Sequence, residues 1–202
     1  MDNYELARDR AQAYFLHYSQ ETVIHKWKLE HTKEVLYVNF LGRPYAICRK
    51  TGRIDRLFDG KQAGFSEVLS IFDLLCHEGN DPFLTGKFAP VNSLRGCSVS
   101  AGVDTPFYNK TAAYFESEQN EFIAACQALG GVPVDAGDIG FSFPLFDQMR
   151  VILKFYHSDE DFPASITFLW EENTLSFAFY ETVFYMAGFI LDEICNRMNG
   201  KN

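Results

Sequence analysis

The sequence predicts an α+β domain with a largely antiparallel central sheet flanked by about four helices. Segments with helical spacing stand near both ends of the chain and on either side of its middle, and segments with strand patterning are grouped between them. This order differs from the regular strand and helix alternation of a doubly wound sheet. The 202 residues, 47% of them hydrophobic, suffice for one domain with its own core over residues 1–202.

The N-terminal half predicts a helix, a meander and a second helix. Residues 3 to 19 place apolar side chains at a spacing of three and four. From Thr22 to Phe58 the period shifts toward two, and short turns with glycine divide the segment into strands. The strand over residues 35–41 is apolar on both faces, which is typical of a central strand. Residues 66–76 are apolar around most of the helical circumference and predict a buried helix.

The second half predicts further helices around a hairpin. Glycine and proline recur through residues 79 to 108 and exclude long regular elements there, so this stretch is either a functional loop or a plain connection. One helix is expected over about 109–129, and another over 181–198. Between them, a strand over 139–146 carries Pro144 as a bulge or edge marker. The strands of the predicted hairpin are residues 150–156 and 165–170.

The charge balance disfavours polyanionic partners. The chain has 18 Lys and Arg against 27 Asp and Glu, a formal net charge of -9, so its field repels nucleic acid and anionic membranes. A local basic group in the predicted meander is the main exception: Arg43, Arg49, Lys50, Arg53 and Arg56. We therefore expect neither a nucleic acid nor a membrane as partner.

The cysteine pattern predicts free thiols. The five cysteines are scattered, odd in number and without a C-x-x-C pair, which favours a reducing compartment such as the cytoplasm. No pattern of a signal peptide or of a membrane-spanning helix is expected.

The segment His157 to Pro163 holds the densest set of ligand-type side chains. Carboxylate oxygens bind hard cations, but this segment lacks the glycine and the distal glutamate of a calcium loop. A solvated loop whose charges discourage edge pairing is the favoured interpretation. The nearby Asp135 and Asp138 could add an acid and base pair, although Asp-Ala-Gly-Asp is also an ordinary turn.

Other catalytic patterns are weak. His25, His31, Cys76 and His77 could ligate zinc, but no HExxH pair or cysteine knuckle accompanies them. The sequence also lacks a nucleophile elbow, a phosphate-binding loop and a dinucleotide fingerprint. We predict no metal site and no cofactor, and we leave catalysis open.

Aromatic residues are abundant, with 20 Phe, 10 Tyr and 2 Trp, and they concentrate in the last third of the chain. Most of them must form the core. A pocket lined by rings would suit a flat apolar ligand, whereas exposed rings would form a surface for a partner or for self-association.

Several segments resemble the domain of unknown function 3786 family of mostly anaerobic bacteria and archaea. They are Phe40 to Tyr45, Leu74 to Cys76, Leu84 to Phe88, Gly137-Asp138, Phe143 to Leu145, Asp159 to Ala164 and Leu169-Trp170. The resemblance covers nearly the whole chain. Some relatives carry a cysteine-rich iron-sulfur segment that this chain lacks. The family has no established activity, so the resemblance implies no catalytic residue.

Three functional hypotheses follow. The leading one is a non-catalytic accessory module that binds a small molecule or a protein partner through residues 79–108 and 157–163, around an aromatic-lined cleft. The alternative is a metal-assisted or carboxylate-based hydrolase that uses the acidic residues and the histidine of the predicted site. The third is a purely structural interaction protein, and a homo-oligomer is left open. The predicted ligand-binding residues are Asp138, His157, Asp159, Asp161, Phe162 and Trp170.

Overall fold

A computed structural model describes residues 3–79, 84–97, 106–147 and 149–200. Within these ranges the chain forms six α-helices, eight strands and two short 3-10 turns. The helices are α1 (Asn3–His17), α2 (Gln20–Trp27), α3 (Phe65–Cys76), α4 (Pro106–Ser117), α5 (Gln119–Ala128) and α6 (Tyr180–Met198). The strands are β1 (Val35–Phe40), β2 (Arg43–Cys48), β3 (Ile54–Arg56), β4 (Phe88–Pro90), β5 (Val132–Pro133), β6 (Ile139–Phe146), β7 (Met149–Tyr156) and β8 (Ser165–Glu171).

All eight strands form one antiparallel sheet in the order β3-β2-β1-β6-β7-β8-β4, with β5 also paired to β6. The predicted α+β class with an antiparallel sheet is therefore confirmed. The two edge strands have three residues each, and Pro90 ends β4. Short edges with proline limit edge-to-edge pairing with other chains.

The sheet consists of two meanders that meet at a seam, which we define as residues 39–41 of the first meander and 145–147 of the second. Phe40 and Phe146 form the paired residues between β1 and β6. Two backbone hydrogen bonds between the meanders flank this pair, with N···O distances of 2.7 and 3.2 Å. At Leu41 and Asp147, the last residues of the seam on each side, the backbone has φ angles of 49° and 43°, a conformation that non-glycine residues seldom adopt.

Aromatic rings cover the seam from two helices. The Trp27 ring of α2 packs edge-on against the Phe146 ring, with 4.8 Å between the ring centroids. The Phe189 ring of α6 stacks on the Phe40 ring, with 5.2 Å between the centroids. All four side chains are buried. Rings in such arrangements add about 0.5–1.5 kcal/mol per pair beyond the burial of their area. Aromatic packing therefore joins the meanders where the strand pairing is short.

The helices pack on each other and on the sheet through apolar faces. α3 contacts both α1 and α6, and α5 also contacts α6. Phe15 of α1 stacks on Phe72 of α3 at 4.7 Å. Phe115 of α4 and Phe122 of α5 are both buried, and the Phe122 ring packs against Phe155 of the sheet with 5.6 Å between the ring centroids. One core thus runs through both meanders.

The structure departs from the expected elements at three places. Residues 20–27 form α2 rather than part of a strand segment, because Ser19 caps the helix and Trp27 anchors it by donating to the Leu74 carbonyl at 3.2 Å. The helix expected over about 109–129 is two helices, since Glu118 leaves helical geometry at φ -125° and ψ 51°. One face of β1 is exposed rather than apolar and buried. The bulge expected near Pro144 is confirmed by a register shift between β6 and β7.

Asp147 makes the seam sensitive to pH. Burial raises the pKa of Asp147 to about 6, from a usual value near 3.8. The folded state then binds a proton that the unfolded state has already lost, so the contribution of this carboxyl group to stability is most favourable below about pH 3.8 and falls as the pH rises toward about 6. We expect Asp147→Asn to remove this fall and to stabilise the protein at neutral pH, because Asn tolerates the left-handed backbone and cannot ionise.

Urea unfolding between pH 4 and pH 7 measures this effect. The matched control is Asp135→Asn, an exposed aspartate, which should follow the unmodified protein. A profile for Asp147→Asn that runs parallel to that of the unmodified protein would contradict the assignment.

Candidate functional site

The acidic loop, residues 157–163, connects β7 to β8. Tyr156 and Ser165 pair at the ends of these strands, so the loop extends from the tip of a long hairpin. It contains His157, three consecutive acidic residues and a Phe-Pro pair. Its position at the tip of the hairpin is the one that the sequence predicts.

Asp138 ties the start of the acidic loop to the turn before β6. Its Oδ2 accepts a hydrogen bond from the His157 N–H at 2.8 Å, and its own N–H donates to the Phe155 carbonyl at 2.9 Å. The preceding Gly137 has φ +70°, and a Cβ there would lie 2.7 Å from the Phe155 oxygen. Only glycine fits this approach without a shift of the backbone.

Glu116 of α4 provides a second attachment. Its Oε1 accepts hydrogen bonds from the Ser158 N–H at 2.7 Å and from the Ser158 hydroxyl at 2.9 Å. The His157 Nδ1 lies 3.4 Å from the same oxygen. Chiefly through the Ser158 N–H bond, this environment holds the pKa of Glu116 below its usual value. Glu116 therefore remains ionised and fixes the loop to α4.

Asp159 closes the tip of the loop on itself. Its Oδ1 accepts from the Asp161 N–H at 2.9 Å and from the Phe162 N–H at 2.7 Å, and its N–H donates to the Phe162 carbonyl at 2.9 Å. Side-chain acceptance of this kind is the usual way in which Asp stabilises a turn. The Phe162 backbone is thereby fixed while its side chain stays 70% exposed, the highest exposure of a large apolar residue in the described chain.

The structure brings together five of the six predicted site residues. Asp138, His157, Asp159, Asp161 and Phe162 belong to the acidic loop or contact it. Trp170 lies elsewhere. It is 2% exposed and pairs with Val151 and Ala89 toward the opposite end of β8. Its ring is part of the core.

The irregular stretch after α3 is held in part by a buried carboxylate. Glu171 is 2% exposed, and its Oε2 accepts from the Thr85 N–H, the Thr85 hydroxyl and the Gly86 N–H at 2.9, 2.8 and 3.1 Å. These bonds attach residues 84–87 to the end of β8. Residues 80–83 and 98–105 of the stretch lie outside the described residues.

A cleft opens between α2 and the three residues that follow α3. We call it the α2 cleft. Its volume is about 420 Å³. It is lined by Tyr18, Glu21, Thr22, His25, Lys26, His77, Glu78 and Gly79. The sequence gives no local signal for it, because its two walls are about 50 positions apart and neither carries a motif.

A family model described as a domain of unknown function (DUF3786) matches residues 20–193. The chain belongs to this family. The match begins with α2 and extends into α6, and so it includes all eight strands, the acidic loop and most of the α2 cleft. The resemblance noted in the sequence is confirmed. Neither a curated protein nor a solved structure matches the chain.

The described residues bring no metal ligand set together. In the parts of the chain that the structure describes, no three His, Cys, Asp or Glu side chains are placed to share an ion. His25 and His77 line the α2 cleft, while Cys76 is buried and the His31 ring approaches the Leu29 carbonyl at 3.1 Å. Of the residues considered as zinc ligands, His25 and His77 therefore share the α2 cleft, and Cys76 and His31 have other environments.

The basic group of the first meander is largely neutralised by carboxylates. The ion pairs are Arg43 with Glu193 at 2.8 Å, Arg49 with Glu21 at 2.6 Å, Arg53 with Asp55 at 2.8 Å and Arg56 with Glu67 at 2.5 Å. Glu67 is 1% exposed and also accepts from the Tyr45 hydroxyl at 2.6 Å. The arginines thus serve the fold. None of the described helices combines the length and apolar character that crossing a membrane requires.

The bonds of Asp159 predict a local response to mutation. We expect Asp159→Ala to accelerate amide hydrogen exchange at Asp161 and Phe162, because both amides lose their acceptor. The loss of global stability should be modest, about 0.5–1.5 kcal/mol per hydrogen bond. Glu160→Ala is the matched control, and in this variant the exchange rates of the Asp161 and Phe162 amides should equal those of the unmodified protein. Equal exchange rates in both variants would contradict the role of Asp159.

Proposed function

We propose that this protein is a non-catalytic accessory module that binds a partner protein through the acidic loop, with Phe162 as the central contact. The observation that carries this proposal is the 70% exposure of the Phe162 ring on a loop whose backbone is fixed. Buried aromatic anchors at the centre of an interface contribute most of its affinity. A loop that is ordered before binding loses less entropy when it binds.

The fold itself gains little from Phe162. Complete burial of such a side chain stabilises by about 1.5–3 kcal/mol, and this gain is mostly absent in the free protein. Asp138, Glu116 and Asp159 nevertheless hold the surrounding backbone by hydrogen bonds. A partner that buries the ring would obtain the hydrophobic gain without first ordering the loop.

The charges around Phe162 favour a basic partner. Asp159, Glu160 and Asp161 precede it directly, the acidic loop contains no Lys or Arg, and the chain has a formal net charge of -9. Complementary charge steers association and fixes the register of an interface. The expected partner therefore offers an apolar pocket bordered by Lys or Arg. A second copy of this acidic chain fits that description poorly.

The roles of the carboxylates support binding rather than hydrolysis. A catalytic acid or base must reach the proton that it transfers. The Asp138 Oδ2 and the Asp159 Oδ1 instead accept backbone N–H groups of the loop. Their present contacts serve the conformation of the loop.

We also propose a cytoplasmic location. All five cysteines are free thiols in the structure, two of them buried and three partly buried. Reduced cysteines are typical of proteins in a reducing compartment.

Selection from a random peptide library on the immobilised full chain tests the proposed contact. We expect the enriched peptides to combine apolar residues with Lys or Arg and to bind less tightly as salt is raised. Phe162→Ala should weaken the selected peptides by about tenfold or more, as at an interface hot spot. Leu57→Ala, which removes another exposed apolar side chain, is the matched control and should bind as the unmodified chain does.

Two results would overturn the proposal. The first is a set of selected peptides whose affinity is the same for Phe162→Ala and for the unmodified chain. The second is self-association of the protein that Phe162→Ala abolishes, which would make a second copy the occupant of this surface.

A further inference from the structure

The α2 cleft has the size and construction of a small-molecule site. Its volume of about 420 Å³ falls within the range of about 300–1,000 Å³ typical of ligand pockets. Polar side chains from α2 face residues 77–79 across it. The cleft is separate from the acidic loop in its residues, so its function is independent of the partner surface.

One wall of the cleft is rigid. The Lys26 ammonium donates to the His77 carbonyl at 2.7 Å and to the Gly79 carbonyl at 3.3 Å, and the Gly79 N–H donates to the His77 Nδ1 at 2.9 Å. A Cβ on Gly79 would lie 1.9 Å from the Ser176 carbonyl oxygen. Backbone, cation and packing thus fix residues 77–79 in one arrangement.

This arrangement sets the hydrogen-bonding character of two side chains. Because the His77 Nδ1 accepts a hydrogen bond, the neutral ring carries its proton on Nε2 and is a donor there. Burial and the nearby Lys26 lower the pKa of His77, so the ring is neutral at neutral pH. Burial raises the pKa of Tyr18, so its hydroxyl keeps its proton. Both side chains therefore offer uncharged donors to the cleft.

Glu78 determines the charge that the cleft accepts. The Lys26 charge is bound by carbonyl groups beyond the C-terminus of α3, where the helix dipole is negative. The Glu21 charge is bound by Arg49 at 2.6 Å. Glu78 is exposed, and no described residue forms a hydrogen bond or ion pair with its carboxylate. Glu78 is therefore the exposed charged group at the cleft that has no ion-pair partner among the described residues.

We propose that the α2 cleft binds a small hydrophilic molecule that carries a protonated amine together with neutral acceptors such as hydroxyl or carbonyl oxygens. The amine would pair with the Glu78 carboxylate. The neutral acceptors would receive hydrogen bonds from the His77 Nε2–H and the Tyr18 hydroxyl. An anion would approach the Glu78 carboxylate, and the Lys26 ammonium is already engaged by the carbonyls of His77 and Gly79.

Titration with glucosamine, followed by NMR of the full chain, tests this proposal. We expect saturable shifts of the Gly79 and Thr22 amides at millimolar glucosamine. N-acetylglucosamine has the same ring and hydroxyls without the charge, and it should bind at least tenfold more weakly. Ethanolamine tests whether the amine and one hydroxyl suffice for a measurable shift.

Glu78→Gln keeps the shape of the side chain and removes its charge, and it should weaken glucosamine binding at least tenfold. Glu118→Gln, an exposed glutamate outside the cleft, is the matched control and should bind as the unmodified chain does. Because Glu78 is exposed, an unchanged amide spectrum elsewhere will establish that the variant is folded.

Tighter binding of glucuronate than of glucosamine, or equal binding by Glu78→Gln and the unmodified chain, would overturn the proposal. The absence of saturable shifts with both amines would do so as well.

Discussion

The seam between β1 and β6 is the contact on which the rest of the architecture depends. Strands β1 to β3 and strands β6 to β8 each form a meander that is local in sequence, and the two meanders become one sheet through the Phe40 and Phe146 pair and two flanking backbone bonds. Aromatic rings from α2 and α6 cover this short pairing. Trp27 has a double role, because its ring packs on Phe146 and its indole N–H bonds to the Leu74 carbonyl of α3. The seam and one wall of the α2 cleft therefore share the same support.

Several carboxylates in this acidic protein act as internal acceptors. Glu67 binds Arg56 and Tyr45 in the first meander, and Glu171 holds the loop before β4. Glu116, Asp138 and Asp159 fix the acidic loop in the same way. A buried or partly buried carboxylate must be satisfied by N–H or O–H groups, and Glu67, Glu171 and Glu116 meet that requirement within the chain. The acidic loop also exposes the Phe162 ring beside negatively charged side chains, and this combination is typical of a recognition surface.

Local patterns in the sequence predicted the elements with a strong period. The helix at 181–198, the hairpin at 150–170 and the bulge near Pro144 are confirmed. α2 could not be predicted, since eight residues give too short a period and tertiary anchoring by Trp27 stabilises the helix. The acidic loop was detectable because its signals are contiguous. The α2 cleft was not, because bonds such as that from Lys26 to the His77 carbonyl join residues 51 positions apart.

The role of Phe162 as a fixed anchor requires that the acidic loop is ordered before any partner binds. Backbone relaxation by NMR of the free protein measures this directly at the amides of residues 157–162. The hydrogen bonds of Asp138, Glu116 and Asp159 predict order parameters of about 0.85, equal to those of the strands β7 and β8. Values below about 0.6 at Asp161 and Phe162 would show a loop that moves freely, and they would contradict the role of Phe162 as a fixed anchor.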